Sequence, residues 1–557
     1  MNLEDYDKGA LRLQEAINQM GYASLRPGQK SPIDCIMYGR DTICILPTGA
    51  GKSAIFALPT IAMEWKTIVF SPLIALMRDQ VQSMNRAGIR TGCINSNQTE
   101  MQNYSMLREW SEGQLQMLYV APERLGNPQF KQALVAVRPD FVVLDEAHTL
   151  SEWSDNFRPA YQRCGEFIEE YNPKVVAAFT ATATNQVIAD VERVLKITDA
   201  CICRYYPPRE NLHLSSEILS TNDALYPAIL RQVRRVRGSC IVYCQTVKEV
   251  SKLTDYLSQS GESVTFYHGQ IQEANLKDMN QDEFMSGRAR ICVATNAFGM
   301  GIDKPDIEGV IHAGPPGSVE AVTQETGRAA RDGRDAVCHM FMTPSGKWMQ
   351  EFFWNTSNPD GRTVRDAYNY LKTISNTDGV AYITGKDLCE AIESPSAEGA
   401  LNYLQACGCV ERFDSGIKLY MFILKSPDPE SIKPAHKKVY DLIQEGGTAA
   451  GFSEDGYQVY QLDLAWLVSK MNVLAQTIQD KLRQMKKDGH IDYIPPFRGK
   501  ATRLISPPTQ EDIDRADQKR SVEWKKIADV REYVETPDDK KQDFLQNYFM
   551  IDRTVVS

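Results

Sequence analysis

The feature that most constrains the fold is an alternation. Between Asp41 and about Leu195, five short β-branched runs (DTICILP, KTIVFSP, LQMLYVAP, FVVLDEA, VVAAFTAT) alternate with longer helical segments. These runs are apolar along their length rather than at every second residue. A strand buries both faces only when helices cover both sides of its sheet, so the pattern predicts a parallel α/β layer structure. A second round follows, with SCIVYCQT, SVTFYHG, ARICVATN and GVIHAGPP as strands. PPRENL, near Pro207, reads as the linker between the rounds. Two α/β domains are expected, 1–207 and 208–345.

Beyond Pro344 the chain becomes helix-rich. TVRDAYNYLKTI, GKDLCEAIE and SAEGALNYLQACG are candidate helices, closed by CVERFD and GIKLYMFI as a hairpin. AHKKVYDLIQEG, LDLAWLVSKM and LAQTIQDKLRQMKKDG are followed likewise by HIDYIPP and KATRLIS. Three helices and a β-wing make a winged-helix layout, although a plain helical bundle with a hairpin reads much the same. The units expected are 346–430 and 431–508, followed by a helical tail, 509–557, broken at Thr536-Pro537.

Composition narrows the class. With 557 residues, 43% hydrophobic and 24% charged, the chain can bury several cores. No apolar run approaches the roughly 20 residues of a membrane span. The acidic start MNLEDYDKG carries no import signal, so a cytoplasmic home is expected, nucleoid-associated in a prokaryote or phage. Thirteen cysteines without a CxxC suit reduced thiols; Cys201/Cys203 and Cys407/Cys409 are the tight pairs. A net charge of −10 argues only softly against a nucleic-acid ligand, because phosphate binding depends on local clusters.

Three motifs carry chemistry. LPTGAGKS (Leu46 to Ser53) lies between a strand and a helix. Backbone N–H groups of Thr48, Gly49, Ala50 and Gly51 can cradle phosphates, Lys52 reach the β/γ-phosphates and the Ser53 hydroxyl ligate Mg²⁺. The first position is Leu46 where the general pattern has glycine. Asp145 and Glu146 end the strand FVVLD, where one carboxylate holds Mg²⁺ through water and the next orients or deprotonates the attacking water. QETGRAARDGR (Gln324 to Arg334) places Arg328 and Arg331 three apart on one helical face, an arrangement able to bring a guanidinium to a γ-phosphate.

On these motifs residues 15 to 345 resemble a superfamily 2 helicase of the RecQ family, which implies two RecA-like motor domains. GYASLRPGQ is similar to the family's adenine-recognising segment, implying that Tyr22 and Arg26 flank the base while Gln29 hydrogen-bonds its edge. SPLIALMRDQV, with Arg78, and YVAPERL resemble its strand-tracking motifs; FTATAT resembles the motif coupling hydrolysis to domain movement. VYCQT, YHGQ and ATNAFGMGIDKPD match the second motor domain in order, and Gln324 joins the nucleotide-binding set. The DEAH tetrapeptide also occurs in RNA helicases. WSDNFRPAY resembles the aromatic-rich loop peculiar to RecQ-type enzymes, implying that Trp153, Phe157 and Arg158 sense DNA by stacking and charge.

RecQ enzymes usually follow the motor with a zinc module. No cysteine occurs after Cys409, so a four-thiolate cluster cannot be built there and no zinc is expected. YVETPDDKKQDFLQNYF faintly resembles the helical part of that module, with Asp539 near a cysteine position; it reads as a metal-free remnant docked on the motor or as an unrelated helix. Lys481, Arg483, Lys486 and Lys487, with Arg498, Lys500 and Arg503 in the wing, are candidates for duplex phosphates. The resemblance implies a monomeric ATP- and Mg²⁺-dependent helicase moving 3′ to 5′ on single-stranded and forked DNA. An RNA-directed remodeller and a DNA translocase or scaffold with weak unwinding stay open as alternatives.

Overall fold

The computed structural model describes residues 3–550 apart from 48, 73, 151–158, 182, 184, 272, 299–303, 377, 415–418, 426–431, 454, 495 and 497–498. The chain falls into two compact units, Met1–Trp354 with Ser521–Ser557, and Asn355–Arg520.

Seven strands build the first sheet: β1 (Thr42–Ile45), β2 (Thr67–Phe70), β3 (Thr91–Ile94), β4 (Met117–Val120), β5 (Phe141–Leu144), β6 (Val175–Thr180) and β7 (Cys201–Arg204). Their spatial order is β3-β4-β2-β5-β6-β1-β7, and every pairing is parallel. The strands β1, β2, β5 and β6 are buried at every residue, as their unbroken apolar runs require. Apolar clusters lie on both faces, one around Phe70, Trp110 and Phe167, the other around Phe56, Tyr119 and Phe179. Because the strands run parallel, the turns leaving β1, β5 and β6 emerge at one end, where α/β sheets bind ligands.

The second sheet holds β8 (Leu212–Ile218), β9 (Ser239–Tyr243), β10 (Val264–Tyr267), β11 (Ile291–Ala294), β12 (Ile307–His312) and β13 (Ala336–Met342). Its order is β10-β11-β9-β12-β13-β8, again all parallel. Helix Gln510–Glu535 ends just before Thr536-Pro537, and helix Lys541–Met550 follows. Val530, Tyr533, Val534, Leu545 and Phe549 are buried in the same cluster as Leu212, Leu214 and Met340 of this sheet. The tail is thus part of the second domain's core.

The unit Asn355–Arg520 corrects the expected hairpins. Its strands are β14 (Val380–Ala381), β15 (Val410–Asp414), β16 (Tyr420–Leu424), β17 (Thr448–Phe452), β18 (Gln458–Leu462), β19 (Ile491–Ile494) and β20 (Lys500–Leu504). Neither β15 with β16 nor β19 with β20 forms a pair. Instead β15 and β14 both pair antiparallel with β20, while β16 lies between β18 and β19. The segment from β16 to β19 is inserted between two strands of one wing, so pairing crosses the expected boundary at 430/431. Apolar content marks a strand but not its partner, and each set closes its own core, one around Leu371 and Leu401, the other around Phe422 and Ile478.

Candidate active site

Strand β1 continues into Leu46, whose N–H donates to the Thr180 carbonyl at 3.0 Å, and the chain then turns through Gly49 and Gly51. Both take positive φ, 86° and 79°, a region that side chains with a Cβ rarely adopt. Helix Lys52–Ala62 starts directly after Gly51, so its first N–H groups face the turn. A Cβ at Gly49 would meet nothing within 4 Å. The turn is an open cradle.

Gln29 closes the back of the cradle. It is 3% exposed, and its side-chain amide donates to the carbonyls of Ala50 and Gly51, both at 3.1 Å, while Oε1 accepts from the Arg26 N–H at 2.7 Å. Arg26 Nη1 donates to the Gly49 carbonyl at 2.8 Å. Gln29, expected at the base edge, here contacts the turn. Tyr22 and the Arg26 side chain are exposed beside it.

Asp145 and Glu146 follow β5. Asp145 N–H donates to the Phe70 carbonyl at 2.9 Å, Glu146 N–H to Asp145 Oδ1 at 3.0 Å, and Tyr161 OH to the Asp145 carbonyl at 3.3 Å. Glu146 has a φ of 49°, a left-handed conformation costly for a residue with a Cβ. Burial and the neighbouring Glu146 push the Asp145 carboxyl up to about 6, against the lowering influence of Lys52. Burial also acts upward on Glu146, but the charges of Lys52, His148 and Arg328 outweigh it and hold that carboxyl below its ordinary value. One carboxylate of the pair is kept ionised and the other sits near neutrality.

His148 ties this pair to the end of β6. Its Nδ1 lies 3.0 Å from Thr180 Oγ1 and 3.3 Å from Glu146 Oε2. DEAH and FTATAT are separate motifs in the sequence. The adjacency of β5 and β6 joins them.

The arginine segment differs from expectation. Ser318 caps helix Val319–Thr326, which stops at Gly327, so Arg328 and Arg331 lie in a following turn rather than on one helical face. Ala330, with φ 52°, bends this turn, and its N–H donates to the Ile307 carbonyl at 2.9 Å. Arg209 holds the turn from outside. Its guanidinium donates to the carbonyls of Gly327, Ala329 and Ala330 at 3.3, 3.0 and 3.0 Å, and Asn211 adds bonds to Ala330 and Arg334 at 3.3 and 3.0 Å. Both residues sit in or beside PPRENL, which composition marked only as a linker. Arg328 is 5% exposed, and its Nε has no hydrogen-bond partner among the described residues.

The residues fit a magnesium nucleotide. The open turn at Gly49, Lys52, a crowded carboxylate pair and the buried Nε of Arg328 offer donors and acceptors that a phosphate and a cation would satisfy. Ser53 is the second residue of helix Lys52–Ala62, and Gln324 is half-buried on helix Val319–Thr326.

Arg78 is exposed on helix Ile74–Arg86, and Lys500 is exposed at the start of β20. Thr48, Trp153, Phe157, Arg158 and Arg498 lie outside the described residues. Part of the basic cluster is neutralised internally: Lys486 pairs with Asp492 at 2.6 Å, Arg483 with Asp480 at 3.4 Å and Arg503 with Glu411 at 2.8 Å.

Two parallel-sheet domains with a phosphate cradle on the first and an arginine turn on the second make a two-domain nucleotide-binding layout. The DEAD/DEAH box helicase model matches residues 26–191 and the helicase conserved C-terminal domain model residues 222–333. The "ATP-dependent DNA helicase RecQ" of Bacillus subtilis is 35% identical over 348 residues, covering 62% of this chain and 58% of that protein. The "Probable ATP-dependent DNA helicase RecS" of the same organism is 33% identical over 370 residues, covering 66% of this chain and 74% of its own. Among solved structures, the DUF1998 helicase MrfA bound to DNA superposes with a TM-score of 0.50 at 17% identity, covering 72% of this chain and 58% of MrfA. That likeness concerns the fold. The chain belongs to the RecQ family of helicases, and its match spans less than two thirds of the Bacillus subtilis RecQ. No described helix is long and apolar enough to cross a membrane.

Proposed function

We propose that the chain is an ATP-dependent DNA helicase that opens duplexes from a single-stranded tail, moving 3′ to 5′. The observation that carries this reading is geometric: the first domain holds an open glycine turn at Gly49 ahead of Lys52, and the second holds the buried Arg328, whose Nε has no hydrogen-bond partner among the described residues. Magnesium ATP supplies the scissile phosphoanhydride and the cation that neutralises its oxygens.

The remaining roles belong to the chain. Thr48 and Gly49 to Gly51 bind phosphate through backbone N–H groups, and Lys52 and Ser53 orient it. Asp145 holds the cation with Ser53. Glu146, kept ionised, takes the proton of the attacking water. Arg328 and Arg331 stabilise the charge that develops on the transferred phosphoryl group. Tyr22, Arg26 and Gln324 border the nucleotide, and Gln29 fixes the cradle.

His148 and Thr180 carry closure toward the strand-binding side, where Arg78, Trp153, Phe157 and Arg158 meet single-stranded DNA; Arg498 and Lys500 meet duplex phosphates. The names of the family's relatives favour DNA over RNA. The test is ATPase activity of the full chain with single-stranded DNA or RNA of equal length. DNA should stimulate it and RNA should not, and Lys52→Ala should abolish both basal and stimulated rates. Equal stimulation by RNA would favour an RNA remodeller.

A further inference from the structure

Outside the nucleotide site, three cysteines distant in sequence converge. Cys35 lies on helix Lys30–Met37, and Cys201 and Cys203 lie on the same face of the edge strand β7. Their three sulfur atoms all lie within 4.8 Å of one another, with Cys201 Sγ and Cys203 Sγ 3.8 Å apart. Each is partly accessible. An open pocket lined by Gly28, Lys30, Ser31, Asp34 and Arg40 reaches Cys35.

We propose that Cys35, Cys201 and Cys203 form a three-thiolate site for a soft metal cation, Zn²⁺ being the common ion of that class, with the fourth ligand entering from the pocket. A disulfide requires sulfurs about 2.05 Å apart, and no bond of that kind joins these thiols. In a tetrahedral zinc site, a metal–sulfur distance of about 2.3 Å sets sulfurs about 3.8 Å apart. The Cys201–Cys203 separation matches that value, and Cys35 Sγ lies within 4.8 Å of both.

The surroundings agree. Ser31 Oγ is 3.7 Å from Cys203 Sγ, and Lys30 pairs with Asp34 at 2.7 Å on the pocket wall. Cys44 stands in register with Cys203 on β1, on the core side of the cluster. Thiolates select thiophilic ions over the Mg²⁺ of the nucleotide site.

The place gives the site a consequence. Gln29 immediately precedes the helix that carries Cys35, and a Cβ on Gly28 would meet the Tyr205 ring at 2.3 Å, so the chain beside the cradle support and the chain leaving β7 are closely packed. A bound ion clamps helix Lys30–Met37 to β7 directly behind Gln29. This thiolate site is separate from the zinc module usual in the family, for which the tail lacks cysteines.

The test uses the full-length chain, stripped with a chelator and titrated anaerobically with Co²⁺. One equivalent should produce thiolate-to-cobalt charge-transfer absorption, and Zn²⁺ should displace it. Cys35→Ser and Cys203→Ser should each abolish the band, while the Cys407→Ser/Cys409→Ser double variant keeps it. An unchanged melting temperature in chelator shows that Cys35→Ser is folded; should it fail to fold, Cys201→Ser on the sheet edge reads the same band. Absence of the band, its survival in Cys35→Ser, or isolation of a disulfide between Cys35 and either partner overturns the proposal. Absorption does not depend on ATP hydrolysis, so the outcome is independent of the helicase reading.

Discussion

Gln542, in the last helix, is bonded to the backbone of Arg209 in both directions: its amide donates to the Arg209 carbonyl at 2.7 Å, and its Oε1 accepts from the Arg209 N–H at 3.3 Å. A third bond reaches the Leu212 carbonyl at 3.2 Å. Arg209 in turn holds the turn that carries Arg328 and Arg331. A small cavity is lined together by Pro47 of the cradle, Arg209, Gly327 and Gln542. The tail therefore braces the arginine turn, through one intermediary.

Gln542→Ala removes three hydrogen bonds, each with a net contribution of about 1 kcal/mol. The expected result is a lower melting temperature and a kcat for ATP reduced about tenfold with KM nearly unchanged, because the arginine turn acts on the transition state. Arg209→Ala should reduce kcat further, toward the loss of about 10³-fold seen when an arginine finger is removed. Steady-state ATPase kinetics with DNA present check both. An unchanged kcat in Arg209→Ala would show that the turn holds itself.

Asp145 gives a pH dependence. Its carboxyl, pushed up to about 6, must be ionised to hold a cation, so Mg²⁺-nucleotide affinity should fall as pH drops through about 6. Glu146→Gln removes the neighbouring negative charge and should move that inflection to lower pH. For the fold the sign is opposite. A pKa raised from 3.8 contributes stability that is present below 3.8 and lost as pH rises through about 6. Asp145→Asn should therefore raise the melting temperature of the nucleotide-free chain at about pH 7.5 and lose that advantage near about pH 4. Calorimetric titrations and thermal scans across this range measure the two effects.

Gln29→Ala leaves the carbonyls of Ala50 and Gly51, both half-buried residues, without the donor that the buried Gln29 side chain supplies. The cost should be about 2 kcal/mol in stability. Because the turn is loosened before nucleotide arrives, KM for ATP should rise more than kcat falls. The reverse pattern, kcat falling alone, would place Gln29 in the hydrolytic step instead.

The parallel sheets were legible because strands buried on both faces must be apolar throughout, and the positions of Lys52, Asp145 and Glu146 followed from strand ends. Short strands with a glycine or on an edge, such as TGCI and CICR, gave no such signal. Partnership was less legible. The pairing of β15 with β20 and the bonds of Arg209 to the arginine turn join segments whose local composition does not mention one another. The tail is the clearest case. Its resemblance to a zinc module was faint because thiols are absent, yet Lys541, fully buried, donates to the carbonyls of Tyr533 and Val534 at 2.6 and 3.3 Å and lies 4.6 Å from the Tyr533 ring centroid. An ammonium group now joins the two helices of the tail, and only the folded chain shows that it reaches those carbonyls.

Strand displacement tests the account most directly. The full chain is supplied with magnesium ATP and duplexes bearing a 3′ tail, a 5′ tail or no tail, with Lys52→Ala as the control. The account predicts that the 3′-tailed duplex is opened, that the 5′-tailed and blunt duplexes are not, and that Lys52→Ala opens none. Opening confined to 5′ tails would contradict the polarity, and DNA-stimulated hydrolysis without release of any annealed strand would contradict the helicase itself.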